Sequence, residues 1–109
     1  MQRVGMVIGT IPEKLTLYKK LHADDHAGVR HLLKKYNFQN FNIFITQMDD
    51  GKEYLFGYYE YTGTDFEKDD AELRAIPEYA QWLELTDACQ RPLANMKSWK
   101  SMDNIFFMQ

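Results

Sequence analysis

The residues of this sequence best suited to acid/base chemistry are three histidines, at positions 22, 26 and 31. His22 follows Tyr18 by four residues, and His26 follows His22 by four. Side chains four residues apart on a helix lie one above the other, so Tyr18, His22 and His26 would form one row. Histidine titrates near neutral pH, and a tyrosine hydroxyl can orient it or donate to a substrate, so the row predicts an acid/base site. The same spacing is also expected of a partly buried helix face whose polar side-chain ends have no catalytic role. This alternative stays open here.

Two histidines four residues apart are also typical of zinc-binding helices that carry an acidic residue between them. In this sequence the intervening acids are aspartates rather than glutamate, and no third ligand stands at a familiar spacing. We therefore expect no metal. Cys89 is the only cysteine, and no histidine stands at a sequence spacing from it that would indicate a catalytic pair. We therefore expect a buried, inert thiol. The sequence contains no phosphate-cradling glycine loop, Gly-x-Ser-x-Gly motif or dinucleotide fingerprint.

The length and composition predict one folded domain, residues 1–109. The chain is 45% hydrophobic and 15% aromatic, which argues against disorder. Its net charge is −3, whereas nucleic-acid-binding domains usually carry a basic stripe, so we expect no nucleic-acid partner. No run of 18 apolar residues is present, so we expect no membrane span. The single cysteine and the short apolar run at the start favour a reducing, cytoplasmic location.

The hydrophobic pattern predicts alternating strands and helices. Thr10 and Thr64 are each followed three residues later by glutamate, which predicts two helix-capping boxes. Asp-Gly at positions 50–51 predicts a hairpin turn. The predicted strands are 3–10, 40–48, 53–61 and 97–108, and the predicted helices are 12–36 (with a possible break at 23–25), 64–74 and 77–90. This order predicts an α+β fold, the ferredoxin-like split βαβ sandwich.

The predicted sheet would have helices on one face and large aromatic side chains on the other. We expect a second copy of the chain to cover that open face, giving a homodimer of the dimeric α/β barrel kind. Glu60 falls on the same side of its strand as Tyr54, Phe56 and Tyr58. A carboxylate among aromatic rings is costly unless it has a partner or a function, so Glu60 is a candidate substrate contact.

Trp82 lies on the predicted helix 77–90 among polar residues. A lone helical tryptophan is usually part of the core, but a flat ring beside polar side chains also suits a sugar, whose C–H face stacks on aromatic rings. Both interpretations stay open from the residues alone.

Three sequence segments together resemble the L-rhamnose mutarotase family. They are Tyr18-x-x-x-His22, the strand YLFGYYEY followed by TGTDFEKD, and Trp82-x-x-x-Thr86-Asp87-x-Cys89-Gln90-x-Pro92-Leu93. The resemblance runs from Arg3 to Phe107. It implies a ferredoxin-like α/β dimer and a cofactor-free isomerase that interconverts the α and β anomers of a 6-deoxyhexose, L-rhamnose or a relative such as L-fucose.

The resemblance also implies roles for particular residues. His22 matches the family's catalytic histidine, Tyr18 a substrate-contacting tyrosine, and Trp82 the second of a tryptophan pair beside the sugar. We expect His22 to act as the acid toward the ring oxygen and Tyr18 to bind the sugar or relay a proton. Trp82 and Phe41 would form apolar walls suited to a C6 methyl group. Glu60 and His26 are lesser candidates for hydroxyl contacts.

The sequence departs from the family pattern at several positions. His26-Ala27 stands where the family usually has Trp-Pro, Gln81 replaces the first tryptophan of the pair, and Phe41 replaces a tyrosine. Where the family has a second tryptophan pair, near the end of the chain, this sequence has Ser98-Trp99. A dimeric module that binds a small ligand without catalysis is therefore the alternative function. A third is an oxygenase with His22 or His26 as a haem ligand.

Overall fold

The computed structural model describes residues 1–23 and 28–109. Its strands are β1 (Gln2–Thr10), β2 (Phe38–Gln47), β3 (Glu53–Tyr61), β4 (Gln90–Arg91) and β5 (Lys100–Met102). Its helices are a single 3₁₀ turn (Pro12–Lys14), α1 (Leu15–Ala23), α2 (Val29–Lys35), α3 (Phe66–Arg74) and α4 (Pro77–Asp87). None of the helices in these described ranges is long and apolar enough to cross a membrane.

The strands form one antiparallel sheet in the order β2-β3-β1-β4, and β5 also pairs with β1. One helical segment lies between β1 and β2, and a second lies between β3 and β4. This is the split βαβ order of a ferredoxin-like fold. The α+β prediction from the sequence is confirmed.

The predicted helix 12–36 is divided in the structure. Helix α1 ends at Ala23, and α2 begins at Val29 after Gly28, whose φ of 69° is left-handed rather than helical. Glycine adopts this conformation at little cost because it has no Cβ. The predicted break at 23–25 begins at the end of α1, and Asp24 and Asp25 lie outside the described residues.

Both predicted capping boxes are wrong. Thr10 is still part of β1, and its buried hydroxyl donates to the Glu53 carbonyl oxygen at 2.9 Å. The cap position before the 3₁₀ turn is Ile11, whose side chain makes no capping bond. Helix α3 is capped by Asp65 instead of Thr64, because the Asp65 carboxylate accepts from the Lys68 backbone N–H.

The predicted strand 97–108 is much shorter in the structure. Only Lys100–Met102 pairs with β1, and residues 103–109 follow it without regular structure. Ile105, Phe106 and Met108 expose more than three-quarters of their surface in this terminal segment. Its apolar side chains are therefore exposed in the single chain.

The sheet packs its helices against one face only. Leu55 and Tyr61 on β3 are buried on this face, where they join two core clusters. The first cluster is Ile8, Tyr18, Leu21, Leu55 and Cys89; the second is Val29, Phe38, Tyr61, Leu73 and Tyr79. The other face presents Phe56, Tyr58 and Glu60, as the alternation in the sequence predicted.

A β-bulge lets strand β2 place two phenylalanines on the helix side. The register shifts between Gln39 and Asn42, and Asn40 there has a positive φ of 48°. The extra residue changes which side chains face the helices. As a result Phe38 packs on Tyr61 in the core, and Phe41, three residues later, still reaches the helix side.

Close packing of β1 against β4 requires a glycine at position 9. A Cβ at Gly9 would lie 2.6 Å from the Arg91 backbone oxygen. At Gly5 the atom nearest to an added Cβ would be the flexible Cε of Met102, at 3.2 Å.

We predict that Gly9→Ala lowers the free energy of unfolding by about 1–3 kcal/mol, because β4 must move away. Gly5→Ala, in the same strand, is the control and should cost clearly less in urea unfolding. Equal losses would contradict this account.

Candidate active site

The first part of the site is a histidine held by its own helix. His22 Nδ1 lies 2.7 Å from the Tyr18 backbone carbonyl oxygen, one turn earlier in α1. A carbonyl oxygen only accepts, so Nδ1 is the nitrogen that carries the hydrogen in neutral imidazole. In the neutral ring Nε2 is then the nitrogen that can accept a proton. The Tyr18 and His22 rings lie 4.3 Å apart between centroids, as the sequence spacing predicted.

Trp82 is fixed beside this histidine by a hydrogen bond to the same helix. Its indole Nε1 donates to the Leu21 carbonyl oxygen at 3.0 Å, and its ring lies edge-on to His22 at 5.1 Å. The last four carbonyls of a helix lack partners within the helix, so an outside donor stabilises them. The neighbouring His22 carbonyl accepts from Arg30 Nη2 at 2.5 Å. Two side chains thus hold the end of α1 that carries His22.

The Tyr18 hydroxyl is buried and stays protonated. Only 4% of the residue is exposed, and burial is the main reason that its pKa is raised to about 12. The nearby Asp87 carboxylate raises this pKa further, while a hydrogen bond from Gln90 Nε2, 3.1 Å long, opposes the shift. At neutral pH Tyr18 is therefore a hydrogen-bond donor or acceptor and not a phenolate base.

These side chains line a cavity of about 690 Å³ between the helices and the sheet. Its volume lies in the range typical of small-molecule sites, and most of its lining is aliphatic or aromatic with a few polar groups. The polar part of the lining includes Tyr18, His22, Asp87 and Gln90. The Asp87 side chain is exposed by its overall surface, but the surrounding protein partly desolvates its carboxyl group, and this desolvation raises its pKa. The cavity thus combines apolar walls with groups that can exchange protons.

The structure brings four of the six predicted site residues together. Tyr18, His22, Trp82 and Phe41 all line the cavity, and Phe41 stacks on Tyr59 with 5.2 Å between ring centroids. His26 lies outside the described residues.

Glu60 is not brought to the cavity, because it lies on the helix-free face of the sheet. Its carboxylate accepts hydrogen bonds from Gln39 and Asn40 at 2.8 Å and from Tyr58 at 2.7 Å. These bonds, with Gln39 contributing most, lower its pKa. The unusual carboxylate therefore has partners in the fold, which explains its place among aromatic rings without a substrate.

Sequence reasoning did not assign a role to several residues that line the cavity. Asp87 is the last residue of α4 and Gln90 the first of β4, on either side of Cys89, and Trp99 reaches the cavity from just before β5. Of these residues, only Asp87 and Gln90 could have been found from the sequence, because they belong to a segment that carries the family resemblance. Among residues 1–23 and 28–109, no three His, Cys, Asp or Glu side chains cluster in a way that could hold a metal ion.

Comparison with known proteins identifies the family of the chain. The family model described as L-rhamnose mutarotase matches residues 3–108, nearly the whole chain. The chain belongs to the L-rhamnose mutarotase family. Members of this family are carbohydrate mutarotases, so the resemblance noted in the sequence is confirmed, as is its classification as an isomerase. No curated protein matches the chain by sequence.

Solved structures show the same fold at low sequence identity. The L-rhamnose mutarotase of Formosa agariphila superposes with a TM-score of 0.73 at 16% identity and 100% coverage of both chains. Tetracenomycin F2 cyclase of Streptomyces glaucescens, a type-II polyketide cyclase, has a TM-score of 0.68 at 13% identity, covering 100% of this chain and 98% of its own. An antibiotic biosynthesis monooxygenase has a TM-score of 0.60 at 16% identity, covering 96% and 99%. At these identities the neighbours establish the fold.

The raised pKa of Tyr18 makes a prediction about alkaline stability. Between pH 10 and about 12 the unfolded chain loses the phenol proton while the folded protein keeps it, so stability falls as pH rises through this range. Replacing Tyr18 by Phe should make the decline shallower, because one of the groups responsible is gone. Urea unfolding at several pH values from 9 to 11.5 would measure the two slopes. Identical slopes for the wild type and Tyr18→Phe would contradict the assignment.

Proposed function

We propose that this protein accelerates the exchange of α and β anomers of a 6-deoxyhexose by acid/base opening of the sugar ring. The observation that carries the proposal is the His22–Tyr18 pair on the wall of a cavity large enough for a monosaccharide. Membership of a mutarotase family supports the reaction class. The identity of the sugar, L-rhamnose or a relative such as L-fucose, is part of the proposal.

Mutarotation needs two proton transfers and no net redox change. The hemiacetal hydroxyl on C1 loses its proton, the bond between C1 and the ring oxygen breaks, and the ring oxygen gains a proton. Rotation about the C1–C2 bond presents the other face of the aldehyde, and closure reverses both transfers. In our proposal protonated His22 gives its Nε2 proton to the ring oxygen and takes it back on closure. Its bond to the Tyr18 carbonyl keeps Nδ1 out of the exchange.

The C1 hydroxyl proton needs an acceptor, and Tyr18 is unsuited to be one because its pKa lies near 12. In this proposal Tyr18 contacts a sugar oxygen as a hydrogen-bond partner. A water molecule or the Asp87 carboxylate on the cavity lining takes the C1 hydroxyl proton. General acid/base groups typically contribute about 10²–10⁴-fold each.

Trp82 and Phe41 give the cavity the apolar surface that a deoxy sugar requires. The Leu21 carbonyl holds the Trp82 ring beside His22, and Phe41 stacks on Tyr59. Aromatic faces accept the C–H face of a pyranose, and an apolar wall favours a methyl group at C6 over a hydroxymethyl group. We expect these two rings to select 6-deoxy sugars.

Replacing His22 tests the reaction. His22→Ala should lower the catalysed anomer-exchange rate by about 10²–10⁴-fold, because the main proton-transfer group is gone. Exchange NMR on L-rhamnose and L-fucose measures the rate, and circular dichroism checks the fold. His31→Ala is the matched control, because His31 is exposed on α2 and does not line the cavity. Full activity in His22→Ala would refute the assignment. Sugar binding by a wild type without rate acceleration would support the binding-module alternative.

We also propose that the protein is a homodimer joined through the helix-free face. This face carries Phe56 and Tyr58, and the exposed terminal segment with Ile105 and Phe106 lies over it, beside Arg3. The Arg3 guanidinium sits over the Phe107 ring at 3.5 Å, which holds the segment against the sheet. Apolar surface of this kind is normally covered by a partner, and a second copy would cover it symmetrically.

A charge in the terminal segment should prevent this association. Phe106→Asp would place a carboxylate in the proposed interface, whereas Leu85→Asp places one on exposed α4, on the helix side of the sheet. Sedimentation velocity should give a dimer for the wild type and Leu85→Asp and a monomer for Phe106→Asp. A monomeric wild type at micromolar concentration would contradict the dimer.

A further inference from the structure

We propose that Gln90 is a positioning residue that directs the hydroxyl proton of Tyr18 into the cavity. This inference rests on the proposed function and adds a part to its machinery. In this proposal Gln90 does not contact the sugar and acts only through its hydrogen bond to Tyr18.

The direction of one hydrogen bond carries the inference. Gln90 Nε2 lies 3.1 Å from the Tyr18 hydroxyl oxygen, and both residues are more than nine-tenths buried. An amide NH₂ group only donates, so the phenol oxygen is the acceptor in this bond. The single phenolic proton must then point elsewhere. Tyr18 also lines the cavity, and the proposal directs this proton there, toward a bound ligand.

The consequence is that Tyr18 meets the substrate as a donor. The ring oxygen of a pyranose has two lone pairs and no proton, so it can accept from Tyr18 as well as from His22. A tyrosine whose oxygen is already engaged by Gln90 presents the complementary group without reorienting. Preorganised donors of this kind act at no reorganisation cost when charge develops on the reacting oxygen.

The fold holds Gln90 in place through the β1–β4 pairing. Thr10 is the register partner of Gln90, and the Ile11 backbone N–H donates to the Cys89 carbonyl oxygen at 3.3 Å. Gly9 permits the close approach of the next residue, Arg91. The short strand β4 thus places the Gln90 amide, three residues after the end of α4, against the buried side of α1.

The test compares Gln90→Glu with Gln90→Leu. A carboxylate is nearly the same shape but only accepts, so it would turn the Tyr18 proton away from the cavity; leucine removes the polar partner altogether. We expect kcat/KM for anomer exchange near neutral pH to fall about tenfold to 100-fold in Gln90→Glu. As pH falls and the new carboxyl gains a proton, it can donate again, and the ratio of variant to wild-type activity should rise.

The ratio of variant to wild-type activity, and not the activity alone, is the readout, because other titratable groups lie nearby. His22 on α1, Asp87 at the end of α4 and the Cys89 thiol all lie close to Tyr18, but they are common to both proteins. A loss that does not change with pH, or no loss, would overturn the inference, since either result gives Gln90 a merely structural role or none.

A double-mutant cycle provides the second measurement. In the Tyr18→Phe background there is no hydroxyl to direct, so Gln90→Leu should change the rate by about twofold or less. The same change in wild type should cost much more. Equal costs in the two backgrounds would contradict the role. If the wild type itself does not accelerate exchange, the proposed function fails; if it does and Gln90 variants behave like wild type, only this inference fails.

Discussion

The hydrogen bond from His22 Nδ1 to the Tyr18 carbonyl is the interaction on which the site depends. It assigns the hydrogen of the neutral ring to Nδ1, so the proposed proton exchange is at Nε2. The bond lies within one helix, so its geometry follows from the i, i+4 spacing and needs no loop to be held in place. The proposed acid/base site therefore lies on the last turns of α1.

That helix end is stabilised by side chains from elsewhere in the fold. Trp82 from α4 and Arg30 from α2 donate to the Leu21 and His22 carbonyls, which would otherwise lack partners in the helix. The same tryptophan forms the wall beside the imidazole. A single hydrogen bond thus links the stability of α1 to the shape of the cavity, so substitutions at Trp82 affect both.

How much the sequence could predict depended on the range of the interactions. Strong alternation in β2 and β3 predicted the hairpin and its two faces, and helical spacing placed Tyr18 beside His22, because both patterns are local. The Gln90–Tyr18 bond joins residues 72 positions apart, and only the β1–β4 pairing reveals it.

The predicted cap at Thr10 was wrong because of long-range pairing too. Pairing with distant strands keeps Thr10 in β1, and its hydroxyl donates to the Glu53 carbonyl oxygen. Glu60 was singled out as a carboxylate on an aromatic face of β3, and hydrogen bonds from neighbouring strand residues account for its position there.

The most direct test of the central claim observes the His22 imidazole itself. Long-range ¹H–¹⁵N NMR at about pH 8, with the His22→Ala spectrum giving the assignment, reports which nitrogen carries the hydrogen and whether a ligand approaches the other. The account predicts hydrogen on Nδ1 in the free protein and a changed Nε2 resonance on addition of L-rhamnose or L-fucose, with His31 unaffected. Hydrogen on Nε2, or an Nε2 resonance unchanged at saturating concentrations of both sugars, would contradict it.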